Sequence, residues 1–372
     1  MEYVVFASFL SFVVAFLTTP VVIKIADAKK LFDHPSAHKV HYTPIPTFGG
    51  VAFFVAVLFS VILLVSFKSA PEMQYFIAAS IVVFLIGLKD DILLISPIKK
   101  FLGQLLAVFL LTYQGHFQLT TLQGLLGIHE LNAVVAAIFT YLTVLVIVNA
   151  FNLIDGVDGL AGMMGIITGL FFGCSFMIAG DLPYAILAFS LVFSLMGFLV
   201  YNFSPARVFM GDTGSLFLGL VISVLAIRFI NTDFHALAEL NITQTGAMAF
   251  AAVFIPIMDT LRVFSIRIYK GLSPFSRDVN HIHHLLLNKG YAHVKVTIIL
   301  VALSLANLLL AYSLQPLGIN VMVGALLVSG ILTAWIFSIN RNKPNQKENH
   351  KLGVSKYAFQ GKRSFNSLEL NN

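Results

Sequence analysis

Apolar runs of bilayer-spanning size follow one another along this chain with so few charges between them that water cannot be its solvent. Eleven are centred near residues 3–25, 48–67, 73–88, 101–113, 132–150, 160–179, 182–200, 214–230, 246–268, 296–314 and 318–339, the fourth being the shortest. A bilayer core calls for about 20 apolar residues per helix, with roughly 17–25 accommodated by tilt and local thinning. Only 11% of the residues are charged and 58% are hydrophobic, whereas a soluble domain carries about 25% and 45–50%. The expected fold is therefore all-α, a polytopic membrane helix bundle of about 11 transmembrane helices. Residues 1–340 form one membrane-embedded domain, and 341–372 form a basic, polar cytosolic tail expected to be disordered. No basic region precedes the first run, so it is read as a helix rather than a cleaved signal. Cys174 stands alone in an apolar run, which excludes a disulfide framework.

The basic residues orient the bundle. An odd number of spans puts the termini on opposite sides. With the N-terminus outside, 21 of the 23 Lys and Arg fall on the inner side and only Lys68 and Arg228 on the outer. Cytoplasmic loops carry such an excess, so the C-terminus is expected to be cytosolic. The net charge of +6 follows from this topology and from attraction to the headgroups of membrane lipids; it calls for no nucleic acid. The outer loops, 114–131 and 231–245, hold no comparable cluster.

Each of the five inner loops carries more than a connector needs. The first, HPSAHKVHYTPIPTFGG (34–50), has three histidines, Lys39 and a glycine pair at a helix start. It is either an anion site made of helix-start amides or plain helix punctuation on a basic loop. The second places Asp90 and Asp91 at the end of a span and Lys99-Lys100 at the start of the next. Adjacent carboxylates at a membrane boundary need a cation or a proton to relieve them. The third, NAFNLIDGVDGLAG (149–162), repeats Asn149, Asn152, Asp155 and Asp158 every three residues. That spacing brings side chains toward one face of a helix or tight turn, and oxygen donors of this kind suit a hard cation such as Mg²⁺. The fourth, NFSPARVFMGDTGSLFLG (202–219), sets Asp212 between glycines at a helix start. The fifth carries Asp259 and Arg262, one turn apart and read as a simple pair, then Arg277 and His281, His283 and His284. The histidine spacing does not fit a zinc helix; phosphate or sugar hydrogen bonding fits better.

Together PIPTFGG, the paired aspartates, NAFNLIDGVDGLAG, FMGDTGSL and HIHH resemble the polyprenyl-phosphate N-acetylhexosamine-1-phosphate transferases, in order and spacing over about residues 1–340. The HIHH form after SRDVN is similar to the branch that transfers N-acetylglucosamine 1-phosphate to start O-antigen, enterobacterial common antigen or teichoic-acid linkage units. The resemblance implies a UDP-N-acetylhexosamine donor, undecaprenyl or another polyprenyl phosphate as acceptor, and Mg²⁺ as cofactor, with Mn²⁺ a substitute. It assigns Asn152 and Asp212 to the metal, Asp90 and Asp91 to the lipid phosphate, and Asp155 and Asp158 to the nucleotide side. Lys100, Arg277, His281, His283 and His284 become candidates for the pyrophosphate and sugar, with Lys39 and His41 behind them. It also implies a bacterial cytoplasmic membrane with the site on the cytosolic face, and an apolar groove for the lipid; a homodimer is compatible with it. Three rivals stand beside this reading. One is the peptidoglycan branch, which transfers phospho-N-acetylmuramoyl-pentapeptide. The second is an ion-coupled transporter, disfavoured because the acids gather at one boundary. The third is a CDP-alcohol phosphotransferase, disfavoured because Ala161 is followed by Gly162 rather than Arg.

Overall fold

The computed structural model describes residues 1–30, 32–33, 45–232, 234–272 and 280–339. Thirteen α-helices dominate them: α1 Glu2–Lys29, α2 Gly50–Leu64, α3 Met73–Leu93, α4 Pro97–Phe109, α5 Ala133–Ile154, α6 Leu160–Ile178, α7 Leu182–Asn202, α8 Gly211–Ile230, α9 Thr245–Ala252, α10 Phe254–Tyr269, α11 Ile282–Asn288, α12 His293–Leu314 and α13 Ile319–Ile339. Each of the eleven apolar runs is helical. Backbone groups in hydrocarbon have no water to bond, so helices satisfy them within the segment. Seven of the helices (α1, α5, α6, α7, α8, α12 and α13) are individually long and apolar enough to cross a membrane; α9 and α10, bent by 70° at Val253, add an eighth if taken as one broken span. The protein is a multi-pass membrane protein.

Two details depart from an all-α bundle. At the polar ends of the helices the backbone pairs with itself instead. Phe32–Asp33 (β1) pairs antiparallel with Ile45–Pro46 (β2), and Thr121–Leu125 (β3) with Ile128–Glu130 (β4). The short fourth run becomes the 13-residue α4, begun by Pro97 at its first turn and prolonged by a π-helical turn, Leu110–Gln114.

Helix α8 is the axis of the bundle, packed by α2, α3, α5, α6, α7 and α9, and almost all of it is buried. The outside is apolar: Leu309, Ile331 and Trp335 are each more than 60% exposed, as lipid-facing side chains are. Polar ties collect at two opposite ends. At one, the Tyr184 hydroxyl donates to Glu72 (2.8 Å), Arg228 Nε donates to Asp181 (2.8 Å), Gln123 binds the Ile230 carbonyl (3.0 Å), and Leu126 N donates to Asn320 (2.8 Å). The sequence suggested no polar cluster on this side. One forms because Glu72, Asp181, Tyr184 and Arg228, spread over 156 residues of chain, sit at helix ends that meet only in the fold. At the other end lie the residues of the five loops.

Candidate active site

The site is built around the start of α8. Gly211 precedes Asp212 with φ 72°, and a Cβ there would lie 2.0 Å from the Thr47 carbonyl oxygen, so only glycine lets the chain turn into the helix at this point. The first turn of α8 has no side-chain cap of its own. Asp91 supplies one from the end of α3. Its Oδ1 accepts from Asp212 N (2.8 Å), and its Oδ2 accepts from Thr213 N (2.9 Å) and the Thr213 hydroxyl (2.5 Å). Orphan amides at a helix start favour an anion of this kind. Gly87 permits it: a Cβ there would meet Asp212 O at 2.6 Å, so α3 approaches α8 backbone to backbone. The amides of Gly49 and Gly50 donate to Phe209 O and Met210 O, both at 2.9 Å. The glycine pair is therefore a packing joint between α2 and the α8 entry, and its amides are not offered to an anion.

Lys100, in the first turn of α4, reaches into this joint. Its Nζ donates to Asp212 Oδ2 (2.5 Å), Asp90 Oδ2 (3.2 Å) and Asn152 Oδ1 (3.3 Å). Asn152 Nδ2 donates to Asp212 Oδ1 (2.5 Å) and Ser215 Oγ (2.8 Å). Asp90 Oδ1 caps the end of α3 by accepting from Ile95 N (2.8 Å). Thus α3, α4, α5 and α8 all deliver polar side chains to a single partly buried cluster. One turn deeper, Asn149 Nδ2 donates to Gln104 Oε1 (2.9 Å) and ties α4 to α5 a second time.

The repeat of three does not put its four members on one helix face. Asn149 and Asn152 lie on α5, Asp155 is the residue that ends it, and Asp158 sits in the following turn. Gly156 and Gly159 break the helix between them, so the acids occupy a loop. Asp155 is partly buried; desolvation first, then the charges of Asp212, Asp91 and Asp158, push its carboxyl up to about 8. Asp158 is buried and ties elements together. It meets His293 Nδ1 of α12 at 3.2 Å, its carboxylate accepts from Ala206 N (3.4 Å), and its carbonyl accepts from the Thr297 hydroxyl (3.2 Å).

The histidine loop closes the other flank. His281 and His283 are buried, their rings parallel at 5.5 Å, and His284 packs 4.3 Å from His283. His283 lies against Gly156, where a Cβ would fall 2.4 Å from its Nε2. Burial first, then the neighbouring His284, lowers the His283 pKa well below the usual imidazole range. Asp259, read from sequence as half of a simple pair with Arg262, does more. Its Oδ1 accepts from Arg262 (3.0 Å) and Ile282 N (3.0 Å), and its Oδ2 meets His281 Nδ1 (2.9 Å). Arg262 also donates to Asn280 O. The signal was present in the sequence: a carboxylate inside an apolar helix, which demands partners. Lys39, His41 and Arg277 lie outside the described residues.

Seven sequence candidates thus converge at the end of the bundle where α3, α5 and α7 finish and α4, α6 and α8 begin: Asp90, Asp91, Lys100, Asn152, Asp155, Asp158 and Asp212. The fold and this cluster define a multi-pass membrane protein with a partly buried polar site at one end of its helices. The model of glycosyl transferase family 4 matches residues 73–230, the stretch that contributes all seven. The chain is 30% identical to the decaprenyl-phosphate N-acetylglucosaminephosphotransferase of Mycobacterium leprae over 86% of its own length and 87% of the relative's. It is 31% identical to the probable undecaprenyl-phosphate N-acetylglucosaminyl 1-phosphate transferase of Bacillus subtilis (78% and 79% covered) and 31% identical to the undecaprenyl-phosphate alpha-N-acetylglucosaminyl 1-phosphate transferase of Haemophilus influenzae (76% and 79%). The chain belongs to glycosyl transferase family 4, among its polyprenyl-phosphate N-acetylhexosamine-1-phosphate transferases.

Proposed function

We propose that this enzyme transfers N-acetylglucosamine 1-phosphate from UDP-N-acetylglucosamine to undecaprenyl phosphate, the first step of a cell-envelope polysaccharide. The observation that carries the reading is the convergence of Asp90, Asn152 and Asp212 on the Lys100 ammonium, each within 3.3 Å of it, at the end of the bundle toward which 21 of 23 basic residues are assigned. That distribution supports eleven crossings, an outer N-terminus and a site on the cytosolic face of the bacterial cytoplasmic membrane. UDP-N-acetylmuramoyl-pentapeptide as donor is the alternative within the family.

In the reaction an oxygen of the lipid phosphate attacks the β-phosphorus of the nucleotide sugar. The bond from that phosphorus to the oxygen bridging to the α-phosphate breaks, and UMP leaves with the electron pair. Both reactants are anions, so charge must be neutralised where they meet. Asn152 and Asp212 fit a hard cation. The amide oxygen of one and a carboxylate oxygen of the other already share a single cationic partner, the Lys100 ammonium. Mg²⁺ takes one or two protein oxygens and the rest of its ligands from water and phosphates. Mg²⁺ bound there would supply charge stabilisation of the transferring phosphoryl group. Lys100 is placed to bind phosphate oxygens beside it. A phosphate monoester is largely dianionic at pH 7, so Asp90 and Asp91 act by positioning. An apolar cavity of about 410 Å³ lies beside the bend between α9 and α10, walled by Leu122, Leu125, Ile230, Phe250, Val253 and Ile257; Leu125 and Ile230 belong to the end of the bundle opposite the acid cluster, so it is not assigned to the polyprenyl chain.

The test uses purified protein with undecaprenyl phosphate and UDP-N-acetylglucosamine, in Mg²⁺ or EDTA, with UMP and lipid product followed by mass spectrometry. Mg²⁺-dependent appearance of both is expected. Product with a different UDP-sugar would change the donor, and no product with any nucleotide sugar would refute the reading. Asp212→Ala is expected to lose nearly all turnover while remaining monodisperse in detergent; near-normal turnover would remove Asp212 from the metal site.

A further inference from the structure

The Lys100 ammonium has three donors and spends all three inside the acid cluster. Its Nζ donates to Asp212 Oδ2 (2.5 Å), Asp90 Oδ2 (3.2 Å) and Asn152 Oδ1 (3.3 Å), and an ammonium has no fourth N–H and no lone pair. While it stands there it has nothing to offer a phosphate. Two of the oxygens it holds are the ones that fit a hard cation. The Asn152 amide is turned this way by a separate contact. The Ser215 hydroxyl donates to Gly211 O (3.0 Å), so its oxygen accepts from Asn152 Nδ2 (2.8 Å), and Asn152 Oδ1 is left facing the ammonium. Mg²⁺ binds oxygen at about 2.0–2.1 Å. An ion bridging Asp212 Oδ2 and Asn152 Oδ1 where both face Nζ would stand in the space of the ammonium, and two cations that close repel strongly. Lys100 can withdraw without opening the bundle: it sits in the first turn of α4 on a flexible four-carbon stem, and it and Asp212 are 17% and 27% exposed.

We infer that Lys100 is a tethered counter-ion, which holds the Asp212 and Asn152 oxygens in place and yields them to a divalent cation, and that only the displaced ammonium has donors free for a phosphate. The inference rests on the proposed ion site and goes beyond it. It makes Lys100 a competitor of the metal as well as a phosphate ligand, so that metal loading precedes phosphate capture by Lys100. Asp90 serves as the pivot. Its Oδ1 is held by the Ile95 amide (2.8 Å) and its Oδ2 by the ammonium, so one of the three bonds survives when Lys100 releases the other two.

The whole chain, purified in detergent with neither substrate present, gives the test. Mn²⁺ affinity is measured by electron paramagnetic resonance, and the melting temperature in EDTA and in saturating Mg²⁺. Wild type is compared with Lys100→Met, which keeps an apolar stem and removes the charge. Asp212→Ala comes first: if it leaves Mn²⁺ affinity unchanged, the ion site itself is misplaced, and that failure is seen separately. Lys100→Met is expected to bind Mn²⁺ about tenfold more tightly than wild type, within the usual range for coupled ligands. It should melt lower than wild type in EDTA, where Asp90 and Asp212 have lost their counter-ion, and level with it in saturating Mg²⁺. Unchanged or weaker Mn²⁺ affinity would show that Lys100 and the ion coexist. An equal melting deficit in EDTA and Mg²⁺ would show that the ammonium keeps its acids when the ion binds. Tighter Mn²⁺ with no deficit in EDTA would reduce its action to repulsion at a distance; each overturns the inference. If Lys100→Met does not fold in EDTA, the wild type decides, by acetylation with acetic anhydride in EDTA and in Mg²⁺ read by mass spectrometry. Lys100 should label several-fold faster in Mg²⁺ and the exposed Lys68 at an unchanged rate; Lys100 labelling that is unchanged or slower in Mg²⁺ overturns the inference.

Discussion

Asp91 is the residue whose assignment the geometry sharpens most, and its substitution separates two roles. Both of its oxygens serve the first turn of α8, accepting from the amides of Asp212 and Thr213 and from the Thr213 hydroxyl. In Asp91→Ala two backbone amides and a hydroxyl lose their acceptor. Loss of a helix cap costs about 0.5–2 kcal/mol, and an orphaned buried donor about 1–3 kcal/mol. About 2 kcal/mol against the arrangement that holds Asp212 corresponds to a roughly 30-fold loss of kcat. Asp91→Asn keeps one acceptor and should lie between, at about 5–10-fold on the same scale. The assay is initial rate of UMP release, together with Mn²⁺ affinity by electron paramagnetic resonance, because a displaced Asp212 weakens the metal as well as the rate. A positioning role requires the order wild type, Asn, Ala in both measurements, with the shape of the pH–rate profile unchanged. Equal, near-complete loss in Asn and Ala with normal Mn²⁺ affinity would refute it and make Asp91 a proton acceptor.

Two further outcomes follow from the acidic loop. The Asp155 carboxyl rises from 3.8 to about 8 in the folded protein, so between those values the folded chain keeps a proton that the unfolded chain releases. In EDTA, stability contributed at this residue is lost as pH rises from about 4 to about 8 and levels off above; Asp155→Asn should raise the melting temperature at pH 8 and leave it unchanged near pH 4, and an equal shift at both would exclude this titration. Gly156→Ala would bring a Cβ to 2.4 Å from Nε2 of the buried His283, so the variant should melt lower and bind the sugar nucleotide about tenfold more weakly, an overpacking loss of the usual 1–3 kcal/mol; His283→Ala in the same chain should recover the melting temperature, and failure to do so would show that the clash is not with the imidazole.

The sequence by itself determined the solvent, the helices and the inventory of the site. Lipid offers no hydrogen bonds, so a long apolar run can only be helical, and all eleven runs are. The acids of motifs over a hundred residues apart do meet at one end of the helices. Tertiary structure alone decided what each acid does there. A period of three cannot announce that Asp155 ends α5 while Asp158 reaches His293 on α12, because helix termination depends on what Gly156 and Gly159 must pack against. Two adjacent aspartates read alike along the chain, yet successive side chains on α3 point about 100° apart, and that angle sends Asp90 to Lys100 and Asp91 to the amides of α8. The Glu72–Tyr184 and Asp181–Arg228 ties, and the choice of His281 as a partner of Asp259, were invisible for the same reason. A hydrogen bond is decided by distance and direction in space, and spacing along the chain fixes neither once the partners lie on different helices.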